Sequence, residues 1–407
     1  MRVGLVSADW AIHGPRDARG RPWPGGAGWY RMRLPGQYLA GVGVEVGEYA
    51  GLAVRKGDQR LYGVTFEESV EELDLIVLQR WTNERAGELI RGAREAGQVV
   101  IADVDDWLDG LDPANRAFVA NHPRPDALRQ GKNRARLRRE GASLEGKQNN
   151  LQGHRGMVAA CDAVTVSTPY LAERLSAANK NVLVLRNALD IERWQQRTPG
   201  TTDKPLLGWV GAVAWRSGDV ETLRGVLGPF LERHDLQVVH AGAQEHGEFA
   251  RLAGVDPERV IERPMFSIHE YPVAWTGIEV AVVPLRDAPF NRAKSAIKSM
   301  EAAAQGIPWV ASWSPENEWW APERWMVAKR PHQVLGALER LLDPAERARV
   351  GALGRAKAEE QSMGKQGWRW VAAYQHVLDQ RGAGPLVDFG HAADSLHGEL
   401  RLPSAAR

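Results

Sequence analysis

The sequence predicts two α/β domains, each a parallel sheet with crossover helices, and three observations carry that expectation. Short Val-, Ile- and Leu-rich runs alternate with helix-period segments along most of the chain, which is the pattern of βαβ units. The series is interrupted once, by the polar stretch DIERWQQRTPGTTDKP at 190–205, and then starts again. At 407 residues the chain is long for one hydrophobic core and natural for two.

In chain order, the first half offers strands at Val3–Ser7, Val42–Val46, Leu73–Leu78, Val99–Asp103, Ala163–Ser167 and Val182–Leu185. Helical segments fall between them, such as Asn83–Ala96 and Pro169–Ala178. The second starts well, because Ser167 and Thr168 can cap it and Pro169 suits a first helical position. The second half offers strands at Leu206–Val210, Val238–Ala241, Val280–Pro284 and Trp309–Ala311, with helices at Val220–Arg233 and Lys294–Gln305. Helical sequence continues from about Gln333 to Gln380. The expected organisation is a first domain at 1–190, a linker at 191–205 and a second domain at 206–362. A helix at 363–380 then returns to the first domain, followed by a Gly-, Ala- and Pro-rich tail at 381–407. Two such halves face each other across a cleft, and open α/β sheets bind ligands beyond the carboxyl ends of their strands.

Composition narrows the function classes. A formal net charge of +1 gives no global field toward nucleic acid or membrane. The single cysteine, Cys161, excludes disulfides within the chain and Cys-rich metal sites, and fits a reducing cytoplasm. Beside the apolar run at Ala163–Val166 it reads as a buried, inert thiol. The opening MRVGLVSADW reads as a strand and not a signal peptide, and no apolar stretch is long enough to span a bilayer. No integral membrane association is expected. One stretch departs from neutrality: 124–155 holds Arg129, Lys132, Arg134, Arg136, Arg138, Arg139, Lys147 and Arg155 against few acids. It reads as a solvated, partly helical excursion, or as a docking surface for an anionic acceptor.

The chemistry concentrates in VAVVPLRDAPFNRAKSAIKSMEAAAQGIPWVAS, residues 280–312. A strand ends at Pro284, and a loop follows with Arg286, Asp287, Phe290 and Asn291. A helix is expected from Ala293 or Lys294 to Gln305, stopped by Gly306. Polar residues thus crowd a helix N-terminus, where free N–H groups and the positive dipole end suit a diphosphate. Lys294 and Lys298 are spaced i, i+4, and Glu301 follows about one turn later. Cations and N–H groups stabilise the charge on a leaving nucleoside diphosphate, and a carboxylate can hold ribose hydroxyls. By itself a helix glutamate is ordinarily solvent-facing, and helix lysines are commonly exposed; the surrounding pattern is what singles these out.

The layout PFN-x-x-KS-x-x-K-x-x-E-x-x-A-x-G-x-P resembles a branch of glycosyltransferase family 4, which are retaining enzymes of the GT-B fold. The resemblance extends over most of the chain. LGWVGAVAWRSGDVETL, residues 207–223, is similar to the first strand and Gly-rich turn of the donor domain. ACDAVTVSTPYLAERLSAANKNVLVLRNALDIERW, residues 160–194, resembles the end of the acceptor domain, with Asn187 at its characteristic position. QVVIADVDDWL, residues 98–108, resembles a D-x-D-D strand end of this branch, and YRMRLPGQYLAGVG, residues 30–43, resembles the helix after the first loop.

The resemblance implies two Rossmann-like domains and transfer of a sugar, with retention, from a UDP- or GDP-sugar. It implies no metal and no cofactor beyond that co-substrate. Glu301 would bind the donor ribose, Arg216 and Lys294 would neutralise the diphosphate, and Asp219 and Lys298 would support that site. Gly211, Asp287, Phe290, Asn291 and Ser295 complete the expected donor set. There is one departure. Eight positions before Glu301, where the family carries a companion glutamate, this chain has Ala293. Asp287 or Asn291 could take over that contact to the sugar.

On the acceptor side the expected residues are Gly25, Gly26, Gly28, Asp105, Asp106 and Asn187. PGGAGWY, residues 24–30, is rich in glycine but separated from the first strand by 8–23, so a dinucleotide fingerprint is disfavoured. It reads as a flexible loop near the transferred sugar. Asp103, Asp105 and Asp106 could serve as turn or cap residues or face the acceptor, and are not read as a metal site. His13 is expected to be an exposed loop residue, and His240 a core or cleft residue. The acceptor would be a glycan, a protein, or DNA with modified bases as used by some phage enzymes, in which case the site of action is the host cytoplasm. Two other classes stand as alternatives: a non-catalytic nucleotide-sugar-binding module and a dinucleotide-dependent oxidoreductase.

Overall fold

The computed structural model describes residues 1–9, 16–18, 20–54, 61–65, 73–81, 86–95, 97–111, 115, 118–121, 150–195, 204–213 and 218–380. Arg216, His13, residues 124–149 of the basic excursion, 196–203 of the expected linker and the tail at 381–407 lie outside them. The chain divides into two compact units. One comprises Met1–Asp109, Ala117–Ala188 and Gln366–Arg407; the other comprises Gly110–Arg116 and Leu189–Lys365.

The first unit is built on seven strands: β1 (Arg2–Ser7), β2 (Glu45–Val54), β3 (Leu61–Thr65), β4 (Leu75–Gln79), β5 (Val99–Val104), β6 (Ala163–Val166) and β7 (Val182–Val184). Their order in the sheet is β3-β2-β1-β4-β5-β6-β7. All neighbours are parallel except the edge pair β2–β3. β4, β5, β6 and β7 are buried along their whole length, as parallel strands covered on both faces must be. The helix Pro169–Leu175 is capped as its sequence suggests: the Thr168 hydroxyl accepts from the Leu171 N–H at 3.2 Å. The helix Trp368–Gln380 closes this unit against the helix Leu34–Gly41. Gly367 permits the approach, since a Cβ there would run into the Tyr38 ring.

The second unit holds six parallel strands: β8 (Leu207–Val210), β9 (Val238–Ala243), β10 (Val260–Pro264), β11 (Val280–Val283), β12 (Trp309–Ser312) and β13 (Val327–Ala328). Their order is β10-β9-β8-β11-β12-β13. Leu207, Trp209, Leu227, Phe230, Phe249 and Val282 form the centre of its core.

Several elements differ from expectation. β2 starts at Glu45 and not at Val42, because the preceding helix ends at Gly41 and Gly43 turns the chain at φ 85°. β3, β10 and β13 carry weak signals: β10 reads VIERP, with charged residues inside it, and β13 is two residues long. The helix expected at Val220–Arg233 is two pieces, Val220–Leu223 and Leu227–Arg233, separated by Gly225 at φ 74°. The helix expected from Ala293 or Lys294 starts at Ile297, after a separate turn at Pro289–Arg292. The shared face proposed for Lys294 and Lys298 is therefore absent, since Lys294 precedes the helix.

Candidate functional site

Each sheet has one place where adjacent strands send their crossovers in opposite directions. There the loops beyond the strand ends diverge and leave a crevice. In the second unit this point lies between β8 and β11, and it gathers much of the expected donor set.

Gly211 follows β8 directly. Lys298, on the helix Ile297–Ala304, donates from its ammonium to the Val210 carbonyl. A Cβ on Gly211 would lie 2.8 Å from Lys298 Nζ and 3.3 Å from the Trp209 ring. Glycine at this position is what lets the lysine reach the strand end. Close behind, the backbone of Gly242 passes Gly211, where a Cβ would meet the Gly211 carbonyl oxygen at 2.6 Å.

The helix Ile297–Ala304 has Ala296 at its N-cap, a residue whose side chain cannot accept from the first N–H groups. Lys294 and Ser295 lie in the turn just before it. Lys294 Nζ sits 4.3 Å from the centre of the Phe290 ring, which is itself buried. Glu301 is 2% exposed. It is a buried carboxylate and not the solvent-facing residue that a lone helix glutamate would be.

Asp219 and Asn291 are both buried and join the two loops of the crevice. Asp219 Oδ1 accepts from the Asn291 amide at 2.7 Å and from the Arg286 backbone N–H at 2.9 Å. The same Asn291 amide donates to the Arg286 carbonyl at 2.9 Å. These contacts hold the segment after β11 against the segment after β8. Behind the helix, Ser299 donates to Asn317 Oδ1 at 2.9 Å.

Ala293 is fully buried at the end of the short turn, so no side chain there reaches a ligand. Neither substitute is placed as a simple replacement. Asn291 is engaged as described. Asp287 is exposed and forms a two-point ion pair with Arg292 at 2.7 and 2.9 Å, which holds its carboxyl below the usual range.

His240, inside β9, is a core residue. It is 1% exposed and packs against both Trp209 and Phe249, with its ring centre 5.0 Å from each, while those two rings stack on one another at 5.6 Å. Its Nε2 meets the Gly211 carbonyl at 3.1 Å, and burial lowers its basicity.

The corresponding point of the first unit lies between β1 and β4. The strand register aligns Ser7 with Gln79, Gln79 with Asp103, and Asp103 with Thr165, so these four buried polar side chains form one row on one face. Ser7 donates to Gln79 Oε1 at 2.6 Å and Thr165 to Asp103 Oδ2 at 2.8 Å. Arg31, fully buried, bonds Asp103 through two nitrogens at 3.0 and 2.7 Å and donates to Asn187 Oδ1 at 3.0 Å. Asn187 is thus an internal partner of Arg31. Arg31 and Arg33 sit in a π-helical turn, Trp29–Arg33, that interrupts the helix after the glycines. Arg33 pairs in turn with Glu48 at 2.7 Å and Asp17 at 3.1 Å.

Gly25, Gly26 and Gly28 are not a flexible loop. Gly26–Gly28 is the first helical turn, and Asp9 holds its start. The Gly25 N–H donates to the Asp9 carbonyl and the Gly28 N–H to the Asp9 carboxylate, each at 2.8 Å. A Cβ on Gly28 would lie 2.8 Å from the Asp9 carbonyl oxygen, and one on Gly25 would strike the Asp9 carboxylate. Gly26 has open space around it. Close packing, with no demand for mobility, explains two of the three.

Asp105 and Asp106 share Arg80, at 3.1 Å each. Arg80 is left-handed at φ 54°, a conformation rare for a side chain of this size. Burial raises the Asp105 carboxyl despite the arginine beside it. All three carboxylates of the D-x-D-D segment are therefore partnered by arginine. Among the described residues, no group of three or more His, Cys, Asp and Glu could hold a metal ion, and no helix is long and apolar enough to cross a membrane. Cys161 is buried, and burial pushes its thiol well above the usual range. Arg155, the described basic residue of the excursion, donates from Nε to Asp109 at 2.9 Å.

Arg31, Arg80, Asp9 and Gln79 carried no sequence signal, because each acts through a partner far along the chain.

No protein-family model matches the chain, and no curated protein sequence does. Solved structures do. Sucrose-phosphate synthase from Thermosynechococcus elongatus aligns with a TM-score of 0.60 at 16% identity, over 93% of this chain and 99% of that one. Anabaena Alr3699/HepE in complex with UDP aligns at 0.57 and 12% identity, over 92% and 100%. A UDP-forming α,α-trehalose-phosphate synthase from Burkholderia xenovorans aligns at 0.53 and 13%, over 92% and 99%. Identities this low speak to architecture alone, and with the two switch-point sheets they establish it: the chain is a two-domain α/β protein with the GT-B fold.

Proposed function

We propose that the protein is a glycosyltransferase that moves a sugar from a UDP- or GDP-sugar to an acceptor, with the donor in the crevice between β8 and β11. One observation carries this reading. Lys298 reaches from the first turn of a helix with alanine at its N-cap to the end of β8, against the glycine that follows it. A cation and the positive end of a helix then converge where a diphosphate would lie. Lys294 and Arg216 add positive charge in this reading, and Glu301 holds the ribose hydroxyls. Asp219 and Asn291 shape the crevice, with Ser295 and Phe290 at its edge. The structural likeness to proteins crystallised with UDP and with UDP-glucose supports the donor class.

The proposed reaction retains the anomeric configuration and needs neither a metal nor a further cofactor. The leaving diphosphate supplies an oxygen that can accept the acceptor's proton. The acceptor, a glycan, a protein or DNA with modified bases, is assigned to the first unit. A DNA acceptor requires affinity that falls steeply with salt; a flat salt response or no shift on DNA removes it.

Calorimetry with UDP, GDP and ADP tests the donor reading. One diphosphate is expected to bind, and Glu301→Ala and Lys298→Ala are expected to weaken it. Failure of all three to bind, or unchanged affinity in both variants, overturns the reading. The buried Ala293 in the companion position favours one second reading, a binding module without turnover. Mass spectrometry of acceptors and free sugar after incubation with nucleotide sugars decides between them.

A further inference from the structure

The second unit contains a cavity of about 620 Å³ that shares Asp287 alone with the expected donor set. Its walls include Arg224, Asp287, Trp313, Lys329, Arg330 and Val334. It sits beyond the ends of β11, β12 and β13. Its volume falls in the range of small-molecule sites, roughly 300–1,000 Å³.

The segment 285–287 has two sides. Arg286 leans toward the loop after β8, where a Cβ on Gly218 would lie 2.9 Å from its Cδ. Leu285 and Asp287, on either side of it in sequence, line the cavity. Neighbouring side chains of this segment therefore meet different surroundings.

The charge in the cavity is positive. Arg224, Lys329 and Arg330 outnumber Glu221 and Asp287 among its walls; Asp287 is paired with Arg292, and Arg224 also donates to the Arg251 carbonyl at 2.7 Å. Lys329 has Glu318 at 3.9 Å, with both side chains more than half exposed, a pair of little energetic weight. Lys329 and Arg330 do not hang on a loose turn. Gln333 Oε1 accepts from both of their backbone N–H groups, at 2.8 and 2.9 Å, so the two cations are presented from a fixed backbone. The helix Pro331–Arg340 begins there, with no acidic side chain in its first turn to offset its dipole. Beside these cations stands Trp313, half-buried, with its indole N–H oriented by Glu318 at 3.1 Å. Lys329 lies 5.4 Å and Arg292 5.9 Å from its ring centre.

We propose that this cavity binds a small phosphorylated carbohydrate: the cations take the phosphate and the Trp313 ring packs on the C–H face of the sugar. A phosphate alone would leave the indole unused, and a neutral sugar would leave the cations unused. The site stands on its own residues and does not depend on the donor reading.

Calorimetry on the full chain with glucose 6-phosphate, glucose and inorganic phosphate tests it. Glucose 6-phosphate is expected to bind one per chain, more tightly than either other probe. Lys329→Glu with Arg330→Glu, both at exposed positions, is expected to weaken it by at least about tenfold, with an unchanged melting temperature. Trp313→Ala is expected to reduce glucose 6-phosphate binding to the level of inorganic phosphate. Lys294→Ala is expected to leave it intact. No binding at millimolar concentration, or wild-type affinity in the double variant, overturns the proposal. Loss in Lys294→Ala also overturns it, because the ligand would then lie in the donor crevice. Equal affinity for phosphate and glucose 6-phosphate overturns the carbohydrate class.

Discussion

The Asn291 amide donates to Asp219 Oδ1 at 2.7 Å across 72 residues of sequence, and this bond joins the loop after β8 to the loop after β11. Asp219 is buried, so its loss strands two donors, the Asn291 amide and the Arg286 N–H. Asp219→Ala is expected to cost about 1–3 kcal/mol of stability, read by urea denaturation, and to weaken nucleoside diphosphate binding. Asp219→Asn keeps an acceptor at Oδ1 and should recover much of both.

Gly211→Ala tests the reach of Lys298, at a position whose φ of 156° also strains an alanine backbone. The added methyl carbon would lie 2.8 Å from Lys298 Nζ, so the lysine must leave the strand end. A displacement of this size at a binding group is expected to reduce kcat/KM by about a hundredfold. Steady-state kinetics beside a melting curve checks this. A large loss of stability with normal kinetics would show that Lys298 is structural.

Arg31 and Asp103 form a buried two-point pair in the first unit. Arg31→Met leaves an uncompensated buried carboxylate and is expected to cost about 3–5 kcal/mol. Arg31→Met with Asp103→Leu removes both charges and should cost less than the sum of the single changes. Denaturant titration of the four proteins of this cycle measures the coupling.

His154 gives the first unit a pH dependence. Burial lowers its pKa from 6.5 to about 4, with Asp109 and Asp106 opposing that shift and Arg155 adding to it. The unfolded chain therefore binds the proton more readily than the folded one between these values, and stability falls as the pH drops from about 6.5 to about 4. The shift corresponds to an order of 3 kcal/mol. Urea midpoints across that window should show the loss, and His154→Leu should reduce it.

Much of the architecture was legible from periodicity. β1, β4, β5 and β6 in the first unit and β8, β9, β11 and β12 in the second coincide closely with apolar runs of sequence, because strands covered on both faces have no polar side to obscure the pattern. β10 and β13 were not legible, the first interrupted by charged residues and the second too short to have a period. That Lys298 and Glu301 share one helix was legible because one short motif spans them. The start of their helix was misplaced, since Lys294 and Ser295 have side chains a helix would accept and only the turn at Pro289–Arg292 excludes them.

By itself, the sequence determined that this is a two-domain α/β chain and that polar and charged residues cluster after β11. Tertiary structure decided what those groups touch. That Lys298 reaches Val210, that Asp219 holds Asn291, and that Arg31 and Arg80 claim the three aspartates at the end of β5 and just beyond it all depend on partners separated by 25 to 88 residues. Local periodicity reports which face of an element is buried, but not which distant side chain is buried against it.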